Sequence, residues 1–322
     1  MKYILLLAIA IPAAGQVVIK QKDAGTISVE IDGKPFTDFY MGPQTGKPYL
    51  HPLRAADGTI VTRAYPMSSD VPGEAHDHPH HRGLWFTHGD VNGYNFWATE
   101  DSQETTGLGK GKVVLTKVNR ITGGKSSGLI DASFDWKIPN GQTILREARK
   151  MTFYSNPSLR IIDFDVTFSP ETEVKFGDTK EGMFAIRLAP GLEEAQPKGI
   201  AAPKRTGKLV NAQGKVGEKN VWGKRSEWAD DSGQIDGKAV GIAILDHPTN
   251  PRAPTYWHAR EYGLFATNIF GVHDFENDKS RDGSLTIRPG QPLRFRLRVV
   301  IHPGDAAAAG ISEIYKDYAA MK

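Results

Sequence analysis

LIDASFDWKI (residues 129–138) and LRIIDFDVTF (residues 159–168) alternate apolar with polar side chains, a period of two rather than the 3.6 of a helix. Such runs turn one face to a core and one to solvent, so each reads as a half-buried strand. TISVEID, GTIVTR, GKVVLTKV, GMFAIRLA, AVGIAILD, YGLFATNIFG and LRFRLRVVIH, alternating or β-branched, read as further strands along the chain. Asp32-Gly33 stands between SVEI and KPFTDF, and Asn92-Gly93 between FTHGDV and YNFWA, each a pair suited to a two-residue hairpin turn. Counting outward from the second turn pairs Val91 with Tyr94 and sets His88 opposite Trp97. Residues 305–321, DAAAAGISEIYKDYAAM, read instead as a helix, with Asp305 as N-cap and an apolar stripe of Ile311, Ile314, Tyr315 and Tyr318. The expected fold is all-β: one large antiparallel β-sandwich with a short C-terminal helix.

The 322 residues include no cysteine, so neither a disulfide nor a thiolate metal site is available and stability has to come from a core. Lys2, the apolar run at residues 4–11 and Ala13-Ala14-Gly15 read as a signal peptide over residues 1–15, with cleavage before Gln16. Residues 16–322 are then expected to form a single β-sandwich domain, periplasmic or secreted. The apolar run falls short of the roughly 20 residues a membrane helix needs, and nothing later approaches it, so membrane insertion is not expected. A net charge of +3 is too small to argue for nucleic acid. Residues 191–238, rich in Gly and Lys, read as a long covering loop or lid.

HDHPHHRGLWFTHG (residues 76–89) gathers five of the ten histidines. Imidazole titrates near neutral pH and its neutral form ligates transition metals, so a cluster beside Asp77 and Arg82 points to proton transfer or metal binding. His80, His81 and His88 are candidate acid–base groups, while His78, His80 and His88 form a candidate set for zinc, iron or copper. In GDTKEGMFAIRLAP (residues 177–190), Glu181 stands at the mouth of a strand that also carries Arg187, placed to act as a general base. DHPTNPRAPTYWHAREYGLFATNIFG (residues 246–271) sets His247, His258, Arg260 and Asn268 among Tyr256, Trp257, Tyr262 and Phe265. Aromatic faces beside fixed polar donors suit a sugar ring. GLGKGK (residues 107–112) lacks the spacing of a phosphate loop, and no Gly-x-Ser-x-Gly elbow occurs.

Three segments, DHPHHRGLWFTHGDVNGYNFW, FGDTKEGMFAIRLA and residues 246–271, resemble the exported bacterial family labelled methane oxygenase PmoA, a family of unknown function, over nearly the whole chain. The resemblance implies a galactose-mutarotase-like supersandwich. Its pattern implies site positions at Asp77, His78, His80, His81, Arg82, His88, Asn92 and Trp97, then Glu181 and Arg187, then His247, Asn250, Trp257, His258, Arg260 and Asn268. Methane oxidation itself is not expected, because the subunit bearing that label is an integral membrane protein. The leading expectation is an exported carbohydrate-active protein. A concave site would bind a sugar through Asp77, Arg82, Asn92, Trp97, Arg187, His247, Trp257, Arg260 and Asn268, with acid–base chemistry from His80, His81, His88, Glu181 and His258. Epimerase, glycoside hydrolase and lyase reactions all fit this set. Two alternatives stand beside it: a metalloenzyme holding a divalent metal on His78, His80 and His88, and a non-catalytic glycan-binding module.

Overall fold

The computed structural model describes residues 15–196 and 204–322, and within them the chain forms two eight-stranded antiparallel sheets. Residues 1–14 of the expected leader and residues 197–203 of the expected loop lie outside the described residues. The first sheet runs, neighbour to neighbour, Val17–Asp23, Thr26–Ile31, Lys34–Tyr40, Tyr49–His51, Leu84–His88, Gly182–Arg187, Leu264–Asn268 and Tyr256–Ala259. The second runs Lys208–Asn211, Trp228–Ile235, Lys238–Asp246, Leu293–Pro303, Arg160–Pro170, Thr143–Tyr154, Ser127–Lys137 and Lys112–Thr122. Val174–Phe176 pairs separately with Leu285–Ile287.

Period-two alternation accounts for the layering. In Ser127–Lys137 every second residue is buried, placing Ile130, Ala132, Phe134 and Trp136 inside. They meet the inward residues of the first sheet in one continuous core. Phenylalanines from the two sheets interlock there edge to face: Phe39 on Phe134 at 6.2 Å, Phe86 on Phe168 at 5.5 Å and Phe184 on Phe164 at 4.8 Å between ring centres. The fold class read from the sequence, an antiparallel β-sandwich with a short C-terminal helix, is the one observed.

Both turn expectations hold. Asp32 and Gly33 have φ of 55° and 74°, Asn92 and Gly93 φ of 54° and 82°, the left-handed pairs that a type I′ turn requires. Val91 and Tyr94 bridge across the second. Beyond it the pairing slips, since the Phe96 amide donates to the His88 carbonyl at 3.2 Å. His88 therefore does not face Trp97 but packs against Phe176 and Phe270.

Two boundaries differ from expectation. The C-terminal helix covers only Ile311–Ala319, because Gly310 at φ 67° breaks it from the turn that Asp305 closes by accepting the Ala308 amide. Ile311 and Tyr318 still seat it on the outer face of the second sheet, with Ile314 and Tyr315 packed alongside. The 191–238 stretch is not one loop. It supplies the strands Lys208–Asn211 and Trp228–Ile235, paired antiparallel, and the short helix Glu218–Val221; its glycines at 214, 217 and 223 occupy left-handed turns between them. Among the described residues no helix is long and apolar enough to cross a membrane.

Candidate functional site

The site lies on the outer face of the first sheet. Leu84, Phe86, Phe184, Ile186 and Phe265 point into the core, so the alternate residues Trp85, Ala185 and Ala266 point outward. Strand register aligns them in one row: Tyr49 opposite Trp85, Trp85 opposite Ala185, Ala185 opposite Ala266, and Ala266 opposite His258. Two alanines between large side chains make a trough, and the segment from Arg63 to Arg82 lies over it.

A buried pair of arginines holds that segment. Arg63 and Arg187 are both fully buried, and the Arg63 amide donates to the Arg187 carbonyl at 3.0 Å. Asp77 bridges their side chains, with Oδ1 at 2.5 Å from Arg63 and 3.0 Å from Arg187. Its carboxyl is held far below the usual range: burial pushes it up, but His78, Arg187 and Arg63 together outweigh that. The other oxygen of Asp77 lies 3.0 Å from Nδ1 of His78. His78 is left-handed at φ 43°, a conformation costing a non-glycine residue about 1–2 kcal/mol, and is fixed there by Arg63 bonding its carbonyl at 3.0 Å. Its side chain remains 42% exposed, so a carboxylate orients one ring nitrogen while the ring itself reaches solvent.

Four rings form a column inward from the surface. Tyr262 stacks on His78 at 5.5 Å, His78 on His81 at 4.7 Å, and His81 on Trp85 at 5.2 Å. His80 meets His81 edge-on at 4.3 Å and accepts from Gln103 at 2.6 Å. Burial, reinforced by Lys47 and His78, pulls His80 down to about 2; burial with His80 and Arg187 pulls His81 well below its usual value. Both are neutral spacers under the exposed His78.

Glu181 stands at the end of the Gly182–Arg187 strand, as expected. Asn268 positions it by donating to the carbonyls of Thr179 and Lys180 at 2.9 and 3.0 Å. Burial pushes its carboxyl up, Asp274 adds to this, and Lys180, His78 and Arg260 oppose it. Arg260 lies between Trp222 and Tyr262, 6.0 and 5.9 Å from their ring centres, and 3.3 Å from Glu218. Asp77, His78, Tyr262 and Arg260 adjoin one another through these contacts, and Glu181 lies within electrostatic range of His78, Arg260 and Tyr262.

Several candidates take other roles. His88 is buried, its Nε2 2.8 Å from the Gly177 carbonyl, and burial lowers it to about 4. His258 is buried on the same sheet face and lowered to about 3, mainly by burial and then by Arg260. Neither side chain reaches the surface. Arg82 is engaged by Glu100 through two 2.7 Å bonds over Tyr49. Asn92 ties its turn to Glu173 and Lys175, and Trp97 is buried beside His80 and His81. Two candidates stand away from the others. Trp257 points into the inter-sheet core, stacked on Phe265 at 5.4 Å, and His247 binds the C-terminal Met321 carbonyl on the second sheet, where Asn250 also bonds Asp246. The metal set fails on geometry: with His88 turned to Gly177, no group of three His, Asp or Glu among the described residues is arranged to hold an ion. Arg63, Lys47, Gln103 and Trp222 were not legible as site residues, since each is isolated in sequence and acquires a role only through tertiary contact.

A family model described as a family of unknown function, DUF6807, matches residues 26–316, and the methane-oxygenase label is not borne by it. Among curated proteins none matches. Similar solved structures include a galactose mutarotase-like protein from Clostridium acetobutylicum, with TM-score 0.42, 11% identity, and coverage of 89% of this chain and 98% of that one. A galactose mutarotase related enzyme from Lactobacillus acidophilus gives 0.34 and 9%, covering 89% of this chain and 97% of the other. The GH36 alpha-galactosidase AgaA from Geobacillus stearothermophilus gives 0.41 and 9%, covering 90% of this chain, which spans only 40% of that enzyme's length. All three TM-scores lie below 0.5, so the description of the fold stands on its own strand pairing.

Proposed function

The chain belongs to DUF6807, a family of unknown function, and we propose that it is an exported carbohydrate-active protein whose working pair is His78 and Glu181. One observation carries the reading: an exposed imidazole oriented by a carboxylate lies within electrostatic range of a carboxyl raised by burial. An imidazole and a carboxyl are the kinds of group that acid–base chemistry at a hydroxyl or glycosidic oxygen uses. Around them Asp77 accepts hydrogen bonds, Arg260 donates them, and the unpartnered Tyr262 hydroxyl does either, a set matched to a ligand rich in hydroxyls. The ring faces of Tyr262 are taken up by His78, Arg187 and Arg260, so recognition here is polar rather than by stacking.

The test is binding and turnover across a broad panel of glycans, neutral and uronic, with wild type, His78→Ala and Glu181→Gln. The expected result is a ligand whose turnover falls at least 100-fold in both variants with the melting temperature unchanged. Binding unaffected by either substitution would overturn the site. Binding that weakens with no turnover of any glycan in wild type would leave a glycan-binding module.

A further inference from the structure

Beneath the ring column lies a group of hydrogen-bond donors with nothing to donate to. The rings of His81, Trp85 and Trp97 touch pairwise, with centres 5.2, 5.9 and 5.1 Å apart, and each residue is 1% exposed. Nε2 of His81 and Nε1 of Trp85 and Trp97 are buried without a hydrogen-bond partner among the described residues. The tautomer of His81 follows from its neighbour: a guanidinium only donates, so Nδ1, 3.2 Å from Arg187, accepts, and the neutral ring carries its proton on Nε2. All three orphans are therefore N–H donors. Native interiors rarely leave one such group unpaired, and three on rings that touch one another call for an acceptor.

Charge decides what kind. Lys47 is fully buried with its ammonium 5.6 Å from the centre of the Trp85 ring, donating to the Trp97 carbonyl at 2.6 Å and lying 3.4 Å from the Thr99 hydroxyl. No carboxylate lies within ion-pair distance of it among the described residues. Glu100, whose charge acts on Lys47, gives both oxygens to Arg82, and Asp77 is shared between Arg63 and Arg187. Burial drags the Lys47 ammonium down to about 7, as expected of a cation lacking a counter-charge. A water would accept from two donors at most and would bring two protons of its own to a pocket short of acceptors. An anion satisfies the donors and neutralises the ammonium together.

We propose that His81, Trp85, Trp97 and Lys47 bind a small monovalent inorganic anion of halide size under the sugar-facing surface. The site is structural: the anion braces the floor on which His78 stacks. It is independent of whether the ligand above is a sugar.

The experiment uses sodium bromide as the probe. Melting temperature is followed as bromide replaces gluconate at constant ionic strength, and a crystal grown in bromide is examined by anomalous scattering. The expected result is a melting temperature that rises with the logarithm of bromide concentration and an anomalous peak within hydrogen-bond distance of the Trp85 and Trp97 indole nitrogens. Trp85→Phe, which keeps the ring and deletes one donor, should weaken the bromide dependence at least tenfold. Lys47→Met should abolish it; should that variant not fold, the wild-type anomalous peak still decides. An ordered water in place of the peak, or a melting temperature indifferent to anion identity, would overturn the proposal.

Discussion

At Asp77 a single half-exposed carboxylate is shared by two fully buried guanidiniums and orients the only histidine of the column that reaches solvent. Asp77→Asn should therefore cost about 3–5 kcal/mol, because it leaves buried charge uncompensated, and denaturant unfolding measures it. A loss below about 1 kcal/mol would show that the arginines find another counter-charge. The buried histidines make a second prediction. His51 and His88 are lowered to about 4 by burial, so their folded-state values lie below the unfolded 6.5. Such groups contribute stability that is fully present above about pH 6.5 and lost as pH falls toward 4, of order 3 kcal/mol each at about 1.36 kcal/mol per unit. Thermal unfolding should show a steep fall in melting temperature across that window. A flat profile down to pH 4 would contradict the neutral buried state.

Among the elements, hairpins and half-buried strands were the most legible, and the reason is local. Asp32-Gly33 and Asn92-Gly93 encode a left-handed turn in two adjacent residues, and alternation in Ser127–Lys137 encodes which side faces the core. Leu84–His88, Gly182–Arg187, Tyr256–Ala259 and Leu264–Asn268 are buried on both faces. Their sequences show no alternation, so nothing in them tells inward from outward. That is why Trp257 was expected in the site and lies in the core, while its neighbour His258 points outward. The five-histidine stretch supplies His78 and the rings beneath it, yet which ring of the column reaches solvent depends on Arg63 and Arg187, remote in sequence. Asn268→Ala frees the carbonyls of Thr179 and Lys180 and should lower stability by about 1–3 kcal/mol, read by denaturant unfolding. It should also reduce glycan turnover more than the stability loss explains, since Glu181 loses its support. Turnover that stays at wild-type level in the folded variant would separate Asn268 from Glu181.

For the molecule as a whole, two sheets share one core while their outer faces differ: the second carries the C-terminal helix, the first the row of Trp85, Ala185 and Ala266 with the histidine segment over it. Phe86, which touches Phe168, Phe184 and Phe295, knits the layers, and Phe86→Ala should cost about 3–5 kcal/mol in cooperative unfolding. A smaller cost would mean that the sheets are less tightly coupled than the ring contacts imply. A separate cavity of about 530 Å³ opens elsewhere, lined in part by the exposed Ile60 and Val71, and it offers a rival location for a ligand. The decisive measurement is the crystal structure with whichever glycan the panel identifies. The trough reading predicts a sugar ring hydrogen-bonded to His78 and Glu181, with Arg260 and the Tyr262 hydroxyl on its other oxygens. A glycan seated in the Ile60–Val71 cavity, with His78 and Glu181 untouched, would contradict it.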